Sequence, residues 1–229
     1  MTDIQILGIT GIPEVTAGDD VGLLLVDAFG VDSFRADDVV VVTQKVVSKA
    51  EGRLVHDEDK DAAIAGESVR ILRRTVGGMT ISETKHGFVC ANAGVDSSNV
   101  QEGHIALLPV DPDASARRIR SRIQHLTGVD VGVVISDTFG RAWRLGQTDV
   151  AIGVAGIDPF LDYRGSTDAQ GRTLNATRIA IADELAGAAE LAMGKVENVC
   201  AAVIRGAAIK RGRGRATELV RPPGEDFFR

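Results

Sequence analysis

Short runs of β-branched residues alternate along the chain with longer stretches whose apolar positions recur every three or four residues. The runs at 4–7, 39–43, 79–82, 105–108, 129–136 and 199–204 are bounded by Gly, Asp or Pro and predict strands. Residues 19–29, 61–74, 115–126 and 176–193 carry the helical period and predict four helices. In the third helix Ile119, Ile123 and Leu126 share one face, while Arg117, Arg118, Arg120 and Arg122 spread over the rest as a solvated side. In the fourth, Ile179, Ala182, Ala186, Ala189 and Met193 form a stripe of small residues suited to deep, close packing. Strands and helices intermingle, so the expected class is α/β (α+β), with mixed β-sheets and packed helices. No internal repeat or low-complexity tract divides the chain, whose 229 residues allow one large domain or two small ones sharing a core.

Composition narrows the function. With 44% hydrophobic and 25% charged residues, the chain has the make-up of a folded globular protein. Lys and Arg total 26 against 32 Asp and Glu, a formal charge of −6, which removes overall attraction to a polyanion and argues against a nucleic-acid partner. The apolar runs fall well short of the roughly 20 residues of a membrane helix, and no leader-like segment opens the sequence, so a cytoplasmic location without membrane attachment is expected. Cys90 and Cys200 lie in apolar contexts and read as small buried hydrophobes. Aromatic residues are only 4% and glycines number 26, which points to an aliphatic core and to loops where backbone approaches a ligand. Walker-type, Rossmann, zinc-protease and nucleophile-elbow motifs are all absent, so any nucleotide site is not a P-loop.

The oxygen-rich segments carry the remaining chemistry. The sequence ISDTFGRAWR places Asp137 and Thr138 just past the apolar run that ends at Ile135, at the sheet edge where open α/β folds gather ligands. A carboxylate beside a hydroxyl suits Mg2+ or Mn2+, and Arg141 and Arg144 offer forked donors for phosphate or carboxylate; a polar turn capping a helix is the plain alternative. The loop NAGVDSSN supplies Asp96 with Ser97, Ser98 and Asn99, and two such acidic loops can hold divalent ions together. The turn GIPEV leads toward a helix start at Asp19 and Asp20. Lys45 and Lys49 are four residues apart, so on a helix both ammonium groups would share a face and could grip phosphates. Two segments are expected to be mobile: the loop from Tyr163 to Arg172, a candidate cover for a substrate, and the charged run KRGRGR at 210–215.

Taken in order, GIPE, VVTQKVVSKAEGR, AGVDSSNV, SDTFGRAWR, GQTDVAIGVAGI, ADELAGAAELAMGK and the terminal RPPGEDFF resemble the coenzyme F420-0:L-glutamate ligase (F420 gamma-glutamyl ligase) family over essentially the whole length. The match is to the stand-alone form, without the C-terminal flavin oxidoreductase domain of fused relatives. The resemblance implies two intimately joined subdomains, a homodimer, and GTP, coenzyme F420-0 and L-glutamate as substrates. It implies a divalent metal, Mg2+ or Mn2+ at two ions per subunit, with K+ as an accessory ion. Carried onto this sequence, the metal ligands are Asp96, Asp137 and Thr138, and the GTP contacts are Ile12, Pro13, Glu14, Val15, Gln44, Lys49 and Asn99. Lys45, Arg141 and Arg144 are added from the residue chemistry as further phosphate or substrate contacts, and His86 as a conceivable base. The implied reaction passes through an acyl phosphate to a gamma-glutamyl amide. The competing expectation is a metal-dependent phosphatase or nucleotide hydrolase using the same acidic loops; a non-catalytic nucleotide-binding regulator is a third.

Overall fold

Four valines in succession, Val39 to Val42, fit a strand only if both of its faces are covered. The computed structural model, which describes residues 3–227, builds the molecule around that strand. In chain order the elements are β1 (Gln5–Gly8), α1 (Val21–Phe29), β2 (Val39–Thr43), α2 (Gln44–Ala50), β3 (Leu54–His56), α3 (Lys60–Glu67), β4 (Ser68–Arg74), β5 (Thr80–Thr84), β6 (Val89–Ala91), β7 (His104–Ala106), α4 (Pro112–Thr127), β8 (Gly132–Arg141), β9 (Arg144–Ala155), β10 (Leu161–Asp162), β11 (Arg178–Ile179), α5 (Ile181–Met193) and β12 (Ala201–Arg205).

The main sheet has the order β1-β12-β2-β8-β9, which puts β2 at its centre. β2 runs parallel to β8, and the other neighbours are antiparallel. Side chains alternate across it. Val40 and Val42 join Val133, Ile135 and Val203 on the face covered by Leu25 and Val26 of α1 and Ile119 and Ile123 of α4. Val39 and Val41 join Val134, Ala202 and Ile204 on the face covered by α5. The small-residue stripe of α5 does lie deep, with Ala182, Ala186 and Ala189 fully buried. The mixed α/β class is thus realised as two helical layers on either side of one sheet.

The remaining strands form smaller sheets, a β3–β7 pair, a β4–β5–β6 sheet and a β10–β11 pair. Several expectations are corrected here. The helix expected over 61–74 ends at Glu67, and Ser68–Arg74 is strand β4. Val69 and Ile71 favour an extended chain, and the Ser68 hydroxyl links the last helical turn to β5, bonding the Ile64 carbonyl at 2.6 Å and the Ser82 hydroxyl at 2.9 Å. The helix expected from 176 begins at Ile181, because Arg178 and Ile179 pair with β10. The strand expected to stop at 136 continues to Arg141, paired throughout with β9, which was not expected. The helix α2 was conditional in the sequence and is present.

The segments expected to be mobile are tied down. Within the loop from Tyr163 to Arg172, Thr167 bridges Thr173, and Gly165 donates to the Leu174 carbonyl at 2.8 Å. In the basic run Lys210 pairs with Asp158 at 2.9 Å and Arg211 with Asp37 at 2.9 Å. The terminal motif ends at Phe228, which lies outside the described residues.

One ion pair bolts the sheet. Asp38, fully buried just before β2, takes a forked pair of bonds from Arg205 on β12, at 2.8 and 2.7 Å, and a backbone N–H from Arg35. Removing Arg205 strands the buried Asp38 charge, which costs about 3–5 kcal/mol. Arg205→Ala is therefore expected to lower the unfolding free energy by about 3 kcal/mol or more in urea titrations. Arg117→Ala, on the exposed face of α4, should change it by less than about 0.5 kcal/mol.

Candidate functional site

The parallel pairing of β2 with β8 ends at Thr43, which lies opposite Ser136. This is the carboxyl edge of a parallel pair, where ligands collect in α/β sheets. Two chain continuations equip it. β2 passes directly into α2, which delivers Gln44, Lys45 and Lys49. β8 runs on past the end of β2 as a two-stranded arm with β9, so Asp137 and Thr138 stand on a strand at the rim, and not just past a strand end or in the polar turn and helix cap of the alternative reading. Successive strand residues face opposite ways. Ser136 and Thr138 share one face, where both hydroxyls reach Asp149, and Asp137 presents its carboxyl to the other.

On the Asp137 side, the second acidic loop arrives through β7. Asp96 exchanges two backbone hydrogen bonds with Ala106, at 3.1 and 2.8 Å, which fixes the loop against that strand. The preceding turn runs through Asn92, Ala93 and Gly94, all with left-handed backbone. Gly94 is required twice over, by its φ of +74° and because a Cβ there would lie 2.7 Å from the Leu108 side chain. The Asp96 carboxylate accepts from the Ser98 N–H at 2.8 Å and hydroxyl at 3.0 Å, and pairs with the Lys45 ammonium at 2.7 Å. Burial raises this carboxyl, but the Lys45 and Ser98 bonds outweigh it and hold the group below its ordinary range.

Asp137 behaves in the opposite way. The residue keeps some exposed surface, yet its carboxyl is enclosed, and burial pushes it up to about 7. The Thr138 N–H and the Lys45 charge pull it down, while the charges of Asp149 and Asp96 push it further up. The charges of Lys45, Asp149 and Asp96 therefore all bear on the Asp137 carboxyl. Cys90 lies in the same field; burial first, and Asp137 second, push its thiol up to about 12, which leaves it an inert hydrophobe as expected.

On the Thr138 side, Asp149 is the hub. Its buried carboxylate accepts from the Ser136 hydroxyl at 2.9 Å and the Thr138 hydroxyl at 2.6 Å, and Lys195 reaches it at 3.2 Å. Lys195 also bonds the Thr138 hydroxyl at 2.7 Å and pairs with Glu190 at 2.7 Å. Asp149 and Lys195 stand inside two of the blocks that carry the family resemblance, GQTDVAIGVAGI and ADELAGAAELAMGK, but received no role from them. Only the cross-strand register, Thr138 opposite Asp149, reveals the partnership, and that needs β9.

The residues assigned to the nucleotide fall beside the same edge. Ile12, Pro13, Glu14 and Val15 form an irregular loop after β1, with Val15 buried and Glu14 exposed. Glu14 meets Lys49 at 2.5 Å. Lys45 and Lys49 thus share α2, as their spacing predicts, but each is neutralised by a different loop. Gln44 is buried and bonds Ser48 at 2.8 Å. The Ser48 hydroxyl has one hydrogen and also lies 2.6 Å from the Leu107 carbonyl, so whichever way the Gln44 amide is turned, one of its polar atoms lacks a partner within the described protein. Asn99 is exposed, with a φ of +53°. Arg141 and Arg144 are not drawn into the cluster: they stand exposed near the end of the arm, where Arg141 bonds the Leu145 carbonyl. His86 bonds the carbonyls of Pro109 and Val110, not the acidic cluster.

Among the described residues no three His, Cys, Asp or Glu side chains converge as a metal-binding group. The expected ligands are divided: Asp96 and Asp137 lie on one face with Lys45, whereas the Thr138 hydroxyl is turned to the other, against Asp149 and Lys195.

A family model described as F420-0:Gamma-glutamyl ligase matches residues 10–206. The chain belongs to this family. Relatives named coenzyme F420:L-glutamate ligase include the protein of Methanothermobacter thermautotrophicus, 43% identical with 99% of each chain covered. That of Methanopyrus kandleri is 40% identical over 94% of each chain, and that of Methanocaldococcus jannaschii 38% identical over 99% of this chain and 97% of its own. In this F420-0:Gamma-glutamyl ligase family member, both acidic loops and α2 lie within the matched span.

The raised Asp137 carboxyl has a stability consequence. It protonates near 7 in the folded chain and near its ordinary 3.8 when unfolded, so folding takes up a proton in between and stability falls as pH rises across that window. In metal-free buffer, Asp137→Asn should remove this loss, so that urea unfolding at pH 8 finds the variant more stable than the parent and at pH 4 finds them alike.

Proposed function

We propose that the chain joins L-glutamate to coenzyme F420-0 in F420 biosynthesis, with GTP as phosphoryl donor, as one ligase domain over residues 1–229 acting as a cytoplasmic homodimer. Support comes from family membership and from one structural observation above the rest: Asp96, Asp137 and the α2 lysines meet at the carboxyl edge of the parallel strands, beside the Glu14 loop.

A carboxylate does not condense with an amine at neutral pH, because oxide is too poor a leaving group. In the proposed reaction, a carboxylate oxygen of F420-0 attacks the γ-phosphorus of GTP, the bond to the bridging oxygen breaks, and GDP leaves. The acyl phosphate is then attacked at its carbonyl carbon by the glutamate amine; inorganic phosphate departs, the nitrogen loses its proton, and an amide between the F420-0 carbonyl and the glutamate nitrogen remains, a gamma-glutamyl amide following when the same steps are repeated at the γ-carboxyl of that glutamate. Phosphoryl transfer depends chiefly on positioning and charge neutralisation.

The chain supplies both. Lys49 and Lys45 would exchange their carboxylate partners for phosphate oxygens, and the unmatched amide of buried Gln44 would find its partner on the nucleotide, with Ile12, Pro13, Val15 and Asn99 lining the remainder. Asp96 and Asp137 would hold one hard divalent cation on their shared face, and Thr138, on the opposite face beside Asp149, would serve a second: all are oxygen donors, and an enclosed carboxyl poised near 7 gives up its proton readily to a neighbouring cation. Mg2+ or Mn2+ held there, two per subunit with K+ as an accessory, would supply positive charge between the phosphates. Arg141 and Arg144 remain assigned to the free substrate carboxylates or phosphates.

Mass spectrometry after incubation with F420-0, GTP and glutamate is expected to show the glutamyl adduct, with GDP formed only when both acceptors are present. GDP formed without them would identify a nucleotide hydrolase instead. Asp137→Asn should cut turnover by about a hundredfold or more while circular dichroism is unchanged. Lys49→Ala should weaken GTP binding by about tenfold in calorimetry. Because protons compete for Asp137, affinity for Mg2+ should climb between pH 6 and 8 and level off above.

A further inference from the structure

Away from the nucleotide edge, β3 and β7 pair antiparallel with His56 opposite His104. The ladder bonds flanking this position run from Asp57 N–H to the Gly103 carbonyl and from Leu107 N–H to the Arg53 carbonyl, both 3.0 Å. Such bonds fall at every second residue, so the two histidines occupy a non-hydrogen-bonded pair, where cross-strand side chains come closest. Their ring centroids are 4.7 Å apart and the planes are tilted by 34°. His104 Nδ1 lies 3.1 Å from the Glu102 carbonyl. A carbonyl oxygen only accepts, so Nδ1 carries the hydrogen and Nε2 presents its lone pair. Metal-bound histidines are held in this way, one nitrogen tied to a backbone carbonyl and the other free to ligate. Asp57, Glu58 and Asp59 follow His56 in an exposed turn, and Glu102 precedes His104, so the local charge favours a cation.

We propose that His56 and His104 together chelate a divalent first-row transition metal of the Cu2+ and Zn2+ type. Imidazole pairs favour these ions over Mg2+, so the site is chemically distinct from the oxygen cluster at the sheet edge. Among the described residues no third side-chain ligand joins the pair, so water completes the coordination and the ion exchanges freely. The site also has a structural lever. Ala106, two residues beyond His104 on β7, holds the backbone of Asp96 on one edge and pairs with Leu54 of β3 on the other. A metal across 56 and 104 therefore cross-links the ladder that supports the Asp96 loop.

The test uses the full chain in excess Mg2+, titrated with Cu2+ and followed by calorimetry and electron paramagnetic resonance. The expected result is one Cu2+ per chain with coupling to two nitrogens, weakened at least tenfold in His56→Asn and in His104→Asn and unchanged in His125→Asn. Undiminished binding in both of the first two variants overturns the proposal, as does loss of the signal in Asp137→Asn alone. A second measurement needs no substitution: saturating Zn2+ should slow hydrogen exchange at the Asp96 and Ala106 amides, and unaltered exchange overturns the cross-link.

Discussion

The central constraint is the burial of β2 on both faces. Four valines leave no polar side for water, so the strand must be flanked by β12 and β8 and sealed above and below by helices. That enclosure sets everything around it. Asp38, carried into the interior at the start of β2, needs the forked Arg205 partner; the parallel neighbour β8 runs on beyond the end of β2, and the chain leaving β2 turns at once into α2. The polar edge of the molecule is thus the direct sequel of its most apolar strand, since Thr43 leads at once into the lysines of α2 and Ser136 into Asp137 on the arm.

At that edge, carboxylates are gathered more closely than their charges favour. The chain responds in two physically different ways. Asp96 keeps its charge because Lys45 and the Ser98 donors face it, whereas Asp137, enclosed and bordered by Asp96 and Asp149, is pushed toward the neutral form. The lysines are equally committed: Lys45 to Asp96, Lys49 to Glu14, and Lys195 to Glu190, Asp149 and Thr138. Such a balance is satisfied at rest but easily redistributed, because an arriving anion and its cations can take over each half of a pair without leaving a buried charge alone.

Much of this was legible in the sequence where a single period dominated. The valine run fixed β2 to the residue, and the small-residue stripe correctly put α5 in the interior. The misreadings lie where local pattern and pairing disagree. Residues 68–74 carry apolar spacings compatible with a helix, but the β5 ladder and the Ser68 bonds decide for a strand. Residues 137–141 look like a turn because Asp, Gly and Arg cluster there, yet cross-strand bonding to β9 keeps them extended. The charged run at 210–215 looks solvated, and is held because its partners, Asp37 and Asp158, lie far away in sequence. Asp96, Asp137 and Lys45 were nameable from residue type alone; Asp149 and Lys195 were not, since their roles exist only through register.

The same register explains why one strand serves two polar environments. Asp137 and Thr138 are neighbours in sequence, but an extended chain turns them to opposite faces, so the carboxyl joins the Asp96 and Lys45 group while the hydroxyl joins Asp149 and Lys195. Had the segment been the turn its composition suggests, both side chains would have competed for the same partners. Extension separates them while the backbone keeps them one residue apart, so the Asp149 charge on one face still raises the Asp137 carboxyl on the other. The arm of β8 and β9 is therefore more than an extension of the sheet: its regular pairing divides the acidic edge into two halves that remain electrostatically joined.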